Sequence, residues 1–240
     1  MLRFYYCIIM AIPFILYFYA KAYYIESHAD EYDEISRYGL ATWCVRKCMK
    51  IGHITTKSFG LENLPKDGGY VMFPNHQGKC DILGIIDSHT EPCTLVMDAE
   101  RSKMPIVDPF ITLIKGQRLD KTDMKAQVKT ILTVVQEVKA GRKYVIFPEG
   151  GYENNGNTLQ EFKAGAFQCA AKSKAPIVPV VIIDSYKAFT INSLRKITTQ
   201  IHYLPAIPYE EYKEMSTAEI AEDVKRRIQN LLDEKCVISE

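Results

Sequence analysis

The run Pro176 to Ile183, PIVPVVII, contains no polar side chain. A strand this apolar leaves no face for water, so it belongs in a sheet covered on both sides. Pro179 inside the run cannot donate to a ladder and argues for an edge position or a bulge. Shorter runs of the same kind recur at Tyr70–Phe73, Thr94–Met97 and Lys143–Phe147, and Thr55–Leu61 and Lys196–Tyr203 read as further strands. Helical patterns stand between them. Met124 to Ala140 places Val128, Ile131, Leu132, Val135 and Val138 on one side and stops at Gly141. Phe162 to Lys172 and Thr217 to Asp233 also read as helices, and Met104 to Ile114 as one or two short ones interrupted by Pro105 and Pro109. Strands alternating with helices predict an α/β fold with a mostly parallel central sheet flanked by helices.

The chain of 240 residues is long enough for one large domain with a small appendage, and 47% hydrophobic residues supply a real core. A formal net charge of +1 gives no electrostatic footprint for nucleic acid. Seven scattered cysteines suit a reducing, cytoplasmic environment rather than a disulfide framework. The five histidines form no metal-ligand spacing with acids on one helix face, so no metal is expected.

Residues 4–20 carry no charge, with Arg3 before them and Lys21 after. As a helix they span about 25 Å, a little short of the roughly 30 Å hydrocarbon core. Pro13 would kink the middle, and tyrosines and phenylalanines crowd both ends as in an interfacial belt. A signal peptide, a single span or re-entrant anchor, and a buried core helix all remain open. Residues 30–52 form an amphipathic pattern whose second half is cationic, fitting either anionic headgroups or the rest of the domain. Together the two predict an N-terminal two-helix membrane-associated motif over 1–52, with the α/β part over 53–240.

The chemistry-bearing stretch is Tyr70 to Asp81, YVMFPNHQGKCD. Inside one helix, His76 and Asp81 would point about 140° apart. They meet only if His76 lies at a strand-to-helix turn and Asp81 on the first helical turn beyond it. Pro74 and Gly78 punctuate where that requires. A carboxylate on one imidazole nitrogen fixes the tautomer and frees the other to take a proton. Asp81 also reads as an ordinary acid at a helix start. In open α/β sheets, sites gather at the C-terminal ends of strands. Phe147-Pro148-Glu149-Gly150 ends another strand, and Arg118 and Lys121 flank a short third one at 116–121.

Four blocks, in order, resemble the glycerolipid acyltransferase family that includes 1-acylglycerol-3-phosphate acyltransferases. Asn75-His76 with Asp81 resembles its His-x4-Asp block, Gly116 to Lys121 its basic block, Phe147 to Gly150 its third, and Ile177 to Val180 its proline-containing fourth. Phe162 to Ala166 is also similar. The resemblance covers about residues 55–205. Two departures stand out: Gly78 replaces a frequent Ser, and Gly151-Tyr152-Glu153 replaces a frequent Thr-Arg-Ser. The latter removes one possible phosphate contact.

The resemblance implies acyl transfer from a thioester, acyl-CoA or acyl-ACP, to the free hydroxyl of 1-acylglycerol 3-phosphate, giving phosphatidic acid. No cofactor is implied beyond the donor substrate. It assigns His76 and Asp81 to catalysis, with Asn75, Arg118, Lys121, Glu149, Gly150 and Lys163 around the substrate. The amides of the turn after His76 are candidate oxyanion donors. A membrane location with the catalytic part on the cytoplasmic face follows. Rival readings are another acceptor such as glycerol 3-phosphate, a hydrolase in which His76 activates water, a non-catalytic membrane-binding module, and a thiol nucleophile at Cys80.

Overall fold

The computed structural model describes residues 2–153 and 155–236. The last four positions of the predicted 53–240 unit and the first of the 1–52 unit lie outside the described residues. Two long helices open the chain, α1 (Leu2–Ser27) and α2 (Glu34–Ile51). The α/β part follows as β1 (Ile54–Phe59), β2 (Val71–Pro74), α3 (Asp81–Ser88), β3 (Cys93–Asp98), α4 (Ala99–Ser102), α5 (Val107–Leu113), β4 (Gln117–Leu119), α6 (Met124–Lys139), β5 (Lys143–Val145), α7 (Gln168–Ser173), β6 (Ile177–Ile183), α8 (Lys187–Thr190), β7 (Ile197–Tyr203), α9 (Tyr209–Tyr212) and α10 (Thr217–Cys236).

The seven strands form one sheet in the order β1-β7-β6-β2-β5-β3-β4. Neighbours are parallel except β6 with β7, which run antiparallel. Hence β6, β2, β5, β3 and β4 all point the same way, and their C-terminal ends share one rim. The sheet carries helices on both faces. One core joins Met72, Val178 and Ile201 of the sheet to Phe18, Ala41 and Val45 of the N-terminal helices and Ile85 of α3. The other joins Val71, Phe73 and Val181 to Val134 and Val138 of α6 and Val224 and Ile228 of α10.

Pro179 is not on an edge strand, because β6 lies between β7 and β2. The bulge alternative accounts for it. Ile177 pairs with Ile207 and Val180 with Tyr203, so the partner segment carries one more residue than β6 over this interval. The ladder opens at Pro179, where the missing N–H leaves no unmet bond, and its carbonyl still accepts from Leu204 N at 3.0 Å.

Three other expectations shift. Helix α2 starts at Glu34 rather than near 30 because Asp33 caps it, accepting from Ser36 N at 2.8 Å. Phe162 and Lys163 precede the helical segment: a 3₁₀ turn at Ala164–Phe167 leads into α7, and Lys163 N is tied to Pro148 O at 2.9 Å. In α6 the buried residues are Val134, Val135 and Val138, while Val128 and Leu132 stay exposed.

Helix α1 runs unbroken through Pro13 and packs against α2, α5 and α8. Its inward residues are Arg3, Ala11, Phe18, Ala22 and Ile25. Its outward face is apolar: Ile9, Leu16 and Tyr17 are 63%, 65% and 54% exposed. An apolar face turned away from the core marks an interaction surface. The helix is long and apolar enough to cross a membrane, and this face suggests membrane association.

Candidate active site

Strand β2 ends at Pro74, and a short turn carries Asn75, His76 and Gln77 before α3 begins at Asp81. That turn does what the spacing requires. His76 Nδ1 lies 2.7 Å from Asp81 Oδ2, with Asp81 fully buried and the His76 side chain 16% exposed. The same carboxylate oxygen accepts from Gln77 N at 2.6 Å and Gly78 N at 2.9 Å. Its other oxygen accepts from the Ser185 hydroxyl at the end of β6. A buried carboxylate needs such partners to stay charged. With Nδ1–H on Asp81, Nε2 is left as the proton acceptor. The two amides after His76 are thereby spent on Asp81, so they are not free for an oxyanion.

Aromatic rings fix the imidazole plane. Phe147 stacks on it at 4.1 Å between centroids, and Tyr152 meets it edge-on at 4.8 Å. Both rings come from the segment after β5, as does Glu149. Glu149 Oε1 accepts from His76 N at 3.0 Å, and Oε2 accepts from Gln160 Nε2 at 2.7 Å. Burial pushes the Glu149 carboxyl up to about 7, against the pull of those two donors. Glu149 thus links two adjacent strand ends through the backbone of His76.

Asn75 is buried, and its side chain is committed to β6. Its Nδ2 donates to Ile182 O at 3.0 Å and its Oδ1 accepts from Ile182 N at 2.7 Å. Gln77 likewise donates to Ile182 O at 2.9 Å and accepts from Ser185 N at 2.9 Å. Together they hold the His76 turn across the adjacent strand.

The positive groups are arranged differently. Gly150 adopts a left-handed φ of 72°, and a Cβ there would stand 2.9 Å from Lys163 Nζ, so glycine serves both the turn and the close amine. Lys121 Nζ donates to Gly150 O at 2.8 Å and lies 3.1 Å from Asp98 Oδ2. Lys121 and Lys163 therefore flank Gly150, beside Glu149. Arg118 stands apart: its guanidinium is 2.7 Å from Asp108 Oδ1 and donates to Thr112 Oγ1 at 2.9 Å, both on α5. Among the described residues its polar contacts stay there. Cys80 is buried, and burial pushes its thiol up to about 12, which leaves it protonated and unreactive.

Ser185, Gln77 and Gln160 did not stand out as site residues in the sequence, and Tyr152 stood out only as a departure at 151–153. For Ser185 the signal was the strand-end rule itself, since it lies two residues beyond the apolar β6. Gln77 and Gln160 carried no signal, because polar side chains on loops are ordinary.

This His–Asp pair at the C-terminal rim of the sheet, its carboxylate buried and its imidazole partly exposed, equips the site to take a proton from a hydroxyl or from water. A family described as Acyltransferase matches residues 56–183, more than half of the 240 residues. The chain belongs to the acyltransferase family. Among curated relatives, a Saccharomyces cerevisiae protein named 1-acyl-sn-glycerol-3-phosphate acyltransferase is 30% identical over 159 residues, covering 63% of this chain and 52% of that one. The Homo sapiens 1-acyl-sn-glycerol-3-phosphate acyltransferase alpha is 30% identical over 161 residues, covering 63% and 54%. The chain spans about half the length of these relatives. A Borreliella burgdorferi protein of the same name is 24% identical over 196 residues, covering 78% and 77%. The crystal structure of the 1-acyl-sn-glycerophosphate (LPA) acyltransferase PlsC from Thermotoga maritima superposes with a TM-score of 0.73 at 19% identity, over 98% of each chain. That likeness carries the fold, including the two N-terminal helices.

Proposed function

We propose that this acyltransferase moves an acyl chain from a thioester to the free hydroxyl of 1-acylglycerol 3-phosphate, forming phosphatidic acid. The observation that carries the mechanism is the His76 Nδ1–Asp81 contact at 2.7 Å, with Asp81 itself held by three further donors. His76 Nε2 takes the proton of the acceptor hydroxyl as its oxygen attacks the thioester carbon. The tetrahedral intermediate collapses, the carbon–sulfur bond breaks, and the thiolate leaves with the proton that His76 held. Asp81 stabilises the imidazolium in between. General base catalysis of this kind contributes about 10²–10⁴ in rate.

Lys121 and Lys163, on either side of Gly150, supply charge for the acceptor phosphate. Arg118, its charge already met by Asp108, contributes less to that field. Asn75 and Glu149 act behind the site, one holding the turn to β6 and the other holding the His76 backbone. Residues 1–52 serve as the membrane anchor and 53–240 as the catalytic unit, with the apolar outer face of α1 in the lipid. The cysteines from Cys7 to Cys169 are free thiols, which supports placing the site on the cytoplasmic side.

The names of the relatives support this acceptor, and the chemistry of the site accommodates either thiol carrier. The test is purified protein with 1-acylglycerol 3-phosphate and, separately, acyl-CoA and acyl-ACP. Phosphatidic acid formed with at least one donor is expected. Free fatty acid released at the same rate with and without acceptor would instead make the protein a thioesterase. Faster turnover on glycerol 3-phosphate would move the acceptor assignment.

A further inference from the structure

Strand β3 also ends on this rim, and α4 follows it with Arg101 on its exposed side. The Arg101 guanidinium lies over the Tyr152 ring at 5.5 Å, and the edge of that ring meets His76 at 4.8 Å. Tyr152 thus contacts both the candidate base and a cation. Three neighbouring cations are engaged: Arg118 with Asp108, Lys121 with Asp98, Lys103 with Glu100. Among the described residues, no carboxylate lies within ion-pair distance of the Arg101 guanidinium. A planar guanidinium stacked on an aromatic face keeps its edge N–H groups free, and those groups bind phosphate in bidentate fashion.

We propose that Arg101, held on the Tyr152 ring, forms a phosphate subsite that positions the acceptor beside His76. The inference deepens the acyl-transfer reading and rests on it. The two ring distances cap the separation between guanidinium and imidazole. Two hydrogen bonds of about 3 Å each, plus a hydroxyl and a phosphate ester on neighbouring carbons, bridge such a gap. The phosphates of a thioester donor are the other source of the same chemistry. They do not place a hydroxyl at the base, so the geometry favours the acceptor. In this chain the residue after Gly151 is Tyr152, and through that ring the site gains a cation from α4.

The experiment is steady-state kinetics of purified full-length protein in mixed micelles. The substrates are 1-acylglycerol 3-phosphate, uncharged monoacylglycerol and the thioester that works best. Arg101→Ala is expected to raise KM for the phosphorylated acceptor about tenfold. It is expected to leave KM for the thioester, and turnover of any monoacylglycerol accepted, within about twofold. Tyr152→Ala, which removes the platform, is expected to move the same KM in the same direction. Lys103→Ala, a neighbouring cation paired with Glu100, serves as the control and leaves KM unchanged. An Arg101→Ala KM within twofold of wild type overturns the subsite, as does a rise in the thioester KM instead. His76→Ala run in parallel separates the two ideas. If His76→Ala abolishes transfer while Arg101→Ala changes nothing, the subsite fails and the base stands. If His76→Ala stays active, the base reading fails first.

Discussion

The end of β2 and the end of β4 lie on the same rim, yet they are built in opposite ways. At β2, His76 is held by Asp81, Glu149, Phe147 and Tyr152, and Asp81 in turn by Ser185 and two amides. Its key partners are buried, and they come from three different strand ends. At β4, Arg118 rests on Asp108 in a pair that is partly exposed on both sides. Exposed pairs contribute about 0–1 kcal/mol and are screened by salt. Proton transfer needs one geometry, and burial supplies it. Anion binding needs charge that can move, and a surface supplies that.

Asp81→Asn strikes the first region hardest. An amide in its place has one acceptor oxygen for the donors that converge there, and no charge for the imidazolium. Turnover is expected to fall about a hundredfold or more, with KM for the acceptor changed little. Stability is expected to drop by about 1–3 kcal/mol in urea unfolding. A variant with normal turnover would show that the two regions differ less than their wiring suggests.

Glu149→Gln tests the link between adjacent strands. Activity is expected to fall about tenfold, since the His76 backbone N–H keeps an acceptor but Gln160 faces an amide. The pH dependence is sharper. The Glu149 carboxyl titrates near 7 folded, above its ordinary value of 4.5. The folded state therefore binds the proton more tightly, and stability falls as pH rises between about 4.5 and 7, then levels. Glutamine has no proton to lose, so urea midpoints measured from pH 5 to 7.5 are expected to slope less for the variant. An unchanged slope would place the titration elsewhere.

The basic region gives the smallest effects. Lys163→Ala is expected to raise the acceptor KM several-fold and Arg118→Ala by less than about twofold, because Asp108 already neutralises Arg118. Equal and large effects would mean that Arg118 leaves Asp108 when substrate binds.

The same contrast explains what could be read from the chain alone. The α/β class followed from the apolar runs, because a doubly covered strand has few polar positions and Ile177–Ile183 has none. The His76–Asp81 turn followed from spacing and from Pro74 and Gly78, because local backbone constraints act over a few residues. Interior placement of β6 was not legible. Pro179 excluded an ordinary central strand, and only the extra residue opposite it, near Leu204, makes the position tolerable. Arg118 drew attention as a cation in a familiar block, yet Asp108 ten residues earlier decides its state, and that contact depends on how α5 packs. Ser185 lies 104 positions from the carboxylate it serves. Sequence shows which strand ends bear polar groups, while the pairing among those ends is a property of the sheet order.

The central claim is that His76 is the base. The direct measurement is the rate of phosphatidic acid formation by purified His76→Ala, alongside circular dichroism to show that it folds as wild type does. A loss of about two to four orders of magnitude in kcat/KM is expected. Transfer at the wild-type rate by a folded His76→Ala protein would contradict the account.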